Sequence, residues 1–197
     1  MTVPLRPTLV WAVLLVALGV PMGLTLASPY MAYRDAVYVL GGLSGVVALC
    51  LLLPQALLIA GLLPIPVPRA RRLHRWTGTM VTVSVALHLA GLWITSPQDM
   101  ADALLFRAPT LFSLWGVLAL WALVATTVVA LARWRLPLRL GRNLHGGLSA
   151  LFVAGSIAHA LPIIGTMEPV SKALLCMMIA SATCAALVVR LWKRPTP

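Results

Sequence analysis

The sequence predicts an all-α membrane protein, a bundle of six transmembrane helices. Three observations lead there. Of the 197 residues, 61% are apolar and only 10% are charged, whereas an ordinary globular domain is about 45–50% apolar and about 25% charged. Mean hydropathy is +0.98, and a soluble fold of this length still leaves about a third of its chain surface in water. The apolar residues are also gathered into six runs of spanning length with short connections between them. Disorder is excluded by the same figures, because disordered chains are poor in apolar residues.

A spanning helix takes about 20 mostly apolar residues, and segments 8–27, 36–63, 76–95, 110–133, 145–165 and 169–192 meet that requirement. The first run follows Arg6 and ends at Thr25-Leu26-Ala27, a tolerable signal-peptide cleavage site. Its span-length apolar stretch after Met1 favours a retained helix instead. The second run is long and holds Pro54, which predicts tilt or a kink. The third and fifth runs, with the residues that open them, carry all the histidines of the chain. The fourth run ends in a basic cluster, as does the sixth. No connection has room for a soluble domain, so residues 1–197 read as one domain.

The net charge is +11, from 15 Lys and Arg against 4 Asp and Glu. In a soluble chain that excess points to nucleic acid. Here the basic residues sit in short runs between apolar stretches, the pattern of the positive-inside rule, so no nucleic-acid partner is expected. Arg6, Arg69, Arg71, Arg72, Arg75, Arg133, Arg135, Arg139, Arg142, Arg190, Lys193 and Arg194 fall on one side, with no acid. The other side holds Arg34, Arg107 and Lys172 with Asp35, Asp99, Asp102 and Glu168. Twelve against three places both termini in the cytoplasm and the chain in the inner membrane. Trp76, Trp134 and Trp192 suit an inner aromatic belt. The cysteines (Cys50, Cys176 and Cys184) lie in apolar runs without a CxxC pair, which argues against a disulfide framework.

The four histidines form two matched pairs. His74 and His88 lie 14 residues apart on the third span, and His145 and His159 lie 14 apart on the fifth. Fourteen residues turn a helix to within about 40° of four full turns and advance it about 21 Å. Each pair therefore shares one helix face, with one member at the inner edge and one in the outer half. The third and fifth spans run in the same direction, so His74 is level with His145 and His88 with His159. Two such cross-helix pairs are what two bis-histidine haems need, one imidazole on each face of each iron. Arg71, Arg72 and Arg142 stand beside the inner histidines, where arginine can pair with haem propionates. Gly78, Gly146 and Gly147, with neighbouring alanines, leave room for a flat ring near the backbone.

Each feature has a plainer reading. A single membrane histidine can serve an interhelical hydrogen bond, the arginines can serve topology alone, and the small residues can serve helix packing. The matched spacing on two co-directional helices weighs against coincidence. Zinc fits poorly, since its ligands must lie within about 2 Å of one ion and no Cys, Asp or Glu completes a site at either level. A c-type haem is excluded by the lack of CxxCH. Proton pumping calls for carboxylates inside the spans, whereas all four acids fall in outer loops.

The runs R-R-L-H-R-W-T-G, A-L-H-L around His88, R-N-L-H-G-G and A-H-A-L around His159 resemble the ferric reductase-like transmembrane domain. That family includes NADPH oxidases, ferric-chelate reductases and the haem subunit of the periplasmic methionine-sulfoxide reductase system. The resemblance implies that His74, His88, His145 and His159 are axial ligands of two b haems and that electrons cross the membrane. The larger members continue into a cytoplasmic flavin and nicotinamide domain. This chain closes on Arg194-Pro195-Thr196-Pro197, and Gly41, Gly42 and Gly45 read as packing glycines, not a phosphate loop. No flavin or nicotinamide site is expected, and a separate flavoprotein or membrane quinol is the expected donor. The expected output is reduction of ferric iron or another small acceptor at the outer face. Delivery to a periplasmic reductase is the alternative, and His74 favours the two-haem reductase. A haem-free transporter or assembly factor is the competing class.

Overall fold

A computed structural model describes residues 7–192. It is helical throughout the described residues, with seven α-helices and one 3-10 turn, Pro29–Met31. The helices are α1 (Pro7–Leu26), α2 (Ala36–Ala60), α3 (Val67–Thr95), α4 (Pro97–Leu104), α5 (Leu111–Leu131), α6 (Leu138–Ala160) and α7 (Pro169–Trp192). Five are long and apolar enough to cross a membrane: α1, α2, α3, α5 and residues Pro169–Arg190 of α7. The protein is therefore a multi-pass membrane protein. The one expected span outside these five, the fifth (145–165), corresponds to α6, which has the length at 23 residues but is less apolar than a span requires. Asn143, His145 and His159 lower its apolar character, and Gly146 and Gly147 add little to it.

The boundaries follow local chemistry. Asp35 caps α2, its Oδ1 accepting from the Val37 N–H at 2.7 Å. Despite Pro54, α2 continues without interruption as far as Ala60. It stops there because Gly61 takes the left-handed conformation, φ 71°, and both Gly61 N–H and Leu62 N–H return to the Leu57 carbonyl. Glu168 caps α7, accepting from the N–H groups of Val170 (2.9 Å) and Ser171 (2.6 Å). Ser96, then Pro97 at the first helical position and Asp99 in the first turn, start α4. This short amphipathic helix was not among the sequence expectations, although its start signals are plain.

One expectation is corrected. The arginines assigned to a loop before the third span are helical, because α3 begins at Val67, nine residues before the expected 76. At about 1.5 Å per residue, its 29 residues reach about 44 Å, well beyond the roughly 30 Å hydrocarbon core. The surplus, about two and a half turns from Val67 to Arg75, carries Arg69, Arg71, Arg72 and Arg75, all exposed. Arg139 and Arg142 likewise ride the first turns of α6.

The chain divides into two compact units, one running to Leu92 and resuming at Ile164, the other Trp93–Ile163. In the first, α2 packs on α7 and α1 on both. Leu49, Leu52 and Leu53 of α2 and Leu175, Cys176 and Ile179 of α7 are its buried centre. Gly41 and Gly91 bring α2 and α3 into backbone contact; a Cβ on Gly91 would lie 2.7 Å from the Gly41 Cα. In the second unit, α5 packs along α6, burying Val117, Ala122, Leu123 and Phe152. Gly155 sits close over Ala119. Large side chains such as Leu15, Leu40, Leu111 and Leu151 face outward, as lipid contact requires. The three cysteines are unbridged.

Candidate functional site

In the first unit, α3 carries His74 and His88, both half-buried. The Nδ1 of His88 lies 2.8 Å from the carbonyl of Gly41 on α2. A carbonyl only accepts, so Nδ1 carries the proton and donates it. Nε2 is then the lone-pair nitrogen of the neutral ring. Gly45, one turn beyond Gly41, makes the approach possible, since a Cβ there would fall 2.9 Å from that same Nδ1. The second unit repeats the device. His159 on α6 places Nδ1 2.8 Å from the carbonyl of Phe112 on α5, and a Cβ on Gly116 would fall 2.7 Å from it. The Phe112 ring stands edge-on to the imidazole at 6.1 Å.

His74 and His145 lie four turns earlier on the same faces of α3 and α6. The Nδ1 atoms of His74 and His145 are shielded from solvent. One turn beyond His74, Thr77 donates to the Gln55 side chain of α2. Gly78 accommodates that same Gln55, whose Nε2 would meet a Cβ at 3.0 Å. The expectation that Gly78 clears space for a flat ring is therefore corrected: α2 uses that space. Gly147 has open space where its Cβ would stand. Arg71 and Arg72 are exposed on α3, as is Arg142 on α6.

The donor set fits a haem iron. A metal-binding histidine characteristically gives its second ring N–H to a carbonyl or carboxylate, which fixes the tautomer and strengthens the ligating nitrogen. His88 and His159 already hold that arrangement. Among the described residues no three His, Cys, Asp or Glu converge to hold a lone metal ion.

Sequence reasoning found the four histidines and missed Gly45 and Gly116 as their neighbours, reading Gly45 as packing only. A signal was present. Gly45, His74 and His88 recur 71 positions later as Gly116, His145 and His159. Leu40, Val46, Ala48 and Leu52 recur as Leu111, Val117, Ala119 and Leu123. The α2–α3 and α5–α6 segments are thus a diverged internal repeat.

Comparison with protein families matches residues 42–164 to the ferric reductase-like transmembrane component. Searches of curated proteins and of solved structures returned no match.

Proposed function

This chain belongs to the ferric reductase-like transmembrane component family, and on that premise we propose that it is a di-haem b-type cytochrome. Membership implies membrane electron transfer in general. The finer reading has single electrons passing from the cytoplasmic side to an acceptor at the outer face, with ferric iron as the favoured acceptor. It is carried by one observation, the paired donation of His88 and His159 Nδ1 to helix carbonyls, each with a second histidine 14 residues upstream.

In this reading His74 and His145 hold the inner haem and His88 and His159 the outer one, the pairing implied by equal spacing. Each bound b haem supplies one-electron iron chemistry. The protein's own part is to orient the imidazoles, exclude water and surround them with apolar helices that lower the dielectric. Arg71, Arg72 and Arg142, beside the inner histidines, offer charge-assisted bonds to propionates. Both termini are cytoplasmic, and the exposed arginines at the start of α3 form a basic surface suited to an acidic flavoprotein. Membrane quinol is the other donor this reading admits.

The test is the purified protein's spectrum with a pyridine haemochrome count. Two b haems per chain, with a Soret band and a sharp reduced α-band, are expected. A protein without these bands is a transporter or assembly factor instead. Reoxidation of the reduced protein by ferric chelate supports the ferric-reductase output. Reoxidation only by a periplasmic reductase assigns it as that enzyme's haem subunit.

A further inference from the structure

Resting on the di-haem reading, we infer that Gly45 and Gly116 are positioning residues that lock the two outer histidines in one tautomer and thereby set the potential of the outer haem. The first element is space. Nothing larger than a hydrogen fits at either position while the imidazole stays where it is, since the missing Cβ would stand 2.9 Å from His88 Nδ1 and 2.7 Å from His159 Nδ1. Real Cβ atoms do not approach so closely. The second element is the acceptor. The Gly41 and Phe112 carbonyls lie four residues before these glycines, one helical turn away, so each glycine opens the groove through which Nδ1 reaches its carbonyl.

The third element is recurrence. Each carbonyl precedes its histidine by 47 residues, and the glycine and the histidine of the first unit recur 71 positions later in the second. Small residues at a helix contact are by themselves ordinary packing. Here the same contact occurs in both copies and at a histidine each time, while most other positions have diverged.

The electronic consequence follows from the hydrogen bond. Donation from Nδ1–H to a carbonyl raises the electron density of the imidazole and makes Nε2 a stronger donor. A stronger axial donor favours ferric over ferrous iron and lowers the potential. Breaking the bond raises it. The Gly45 and Gly116 sites belong to the outer histidines, so the effect falls on one haem of the two.

The test uses the full chain as purified, with histidine labelled by nitrogen-15 and the protein reduced by dithionite. Ring spectra of the wild type should show Nδ1–H at His88 and His159 with slow exchange into deuterated water. Gly45→Ala should abolish that protection at His88, Gly116→Ala at His159, and Gly23→Ala, whose Cβ meets nothing within 4 Å, at neither. Redox titration should show the same single haem shifted to higher potential, or lost, in both Ala variants. Wild-type rings protonated at Nε2 overturn the inference, as do Ala variants that keep both protection and potential. Where a variant does not fold, the wild-type tautomers decide alone. A chain that carries no haem yet shows both protected Nδ1–H groups refutes the di-haem reading and leaves the clamp standing.

Discussion

At the scale of single residues, chemistry and stability separate cleanly between His88 and Glu168. Replacing His88 or His159 with Ala removes one of the two ligands proposed for the outer haem, so each variant should hold one haem instead of two. His74→Ala or His145→Ala should remove the other, because an imidazole–iron bond is what retains a non-covalent haem. Pyridine haemochrome counts check this, and two haems in a variant lacking both His88 and His159 would refute the pairing. Glu168 has a different task. Bonds from the Ser171 and Val170 N–H groups hold its carboxyl below the usual glutamate range. A carboxylate lowered in the folded state contributes stability above its unfolded pKa and loses it as pH falls through the folded value. Glu168→Gln should therefore melt lower than wild type at neutral pH, and the two melting curves should converge in acid below the ordinary glutamate range, about pH 4.

At the scale of elements, the helix contacts grade by the room they leave. A Cβ at Gly91 would strike the Gly41 backbone at 2.7 Å, whereas one at Gly155 meets the Ala119 methyl at 3.0 Å and one at Gly23 meets nothing. Backbone cannot rotate aside, so Gly91→Ala must part α2 from α3. Overpacking of this kind costs about 1–3 kcal/mol. Thermal unfolding followed by tryptophan fluorescence should rank Gly91→Ala lowest and Gly155→Ala next. Gly23→Ala should be at or above wild type, because Ala exceeds Gly in a helix interior by about 1 kcal/mol. Equal melting temperatures for Gly91→Ala and Gly23→Ala would mean that the close approach of α2 and α3 is not maintained.

For the whole molecule, orientation and electron supply are the measurable consequences. A phosphatase fused after Pro197 should be inactive and a fluorescent protein there bright, since short-loop Lys and Arg set topology. The opposite pattern would reverse the two sides of the membrane. The 197-residue chain should not be reduced rapidly by NADPH alone. Nicotinamides deliver hydride, a two-electron unit, and a b haem accepts one electron, so a flavin or quinone must divide the pair. Stopped-flow recording of the reduced α-band checks this, and the donor that restores reduction, a flavin reductase or a quinol, identifies the supply.

Composition and periodicity alone determined that the chain is helical, that it spans a membrane and that its histidines stand in two matched pairs. Those properties are local: an apolar run declares a span, and a separation of 14 residues declares a shared face. Helix starts were less legible. Arg69 to Arg75 read as a loop because they are polar, although charged residues extend a helix into water as readily as they end it. Whether a glycine serves packing, a turn or a histidine depends on which atoms of another helix arrive beside it. Gly78 lies opposite Gln55, Gly91 opposite Gly41, and Gly45 opposite His88. The three are identical as letters. Only the packing of α2 against α3 decided their roles, because a glycine's contribution is the space it leaves and that space is defined by its neighbour.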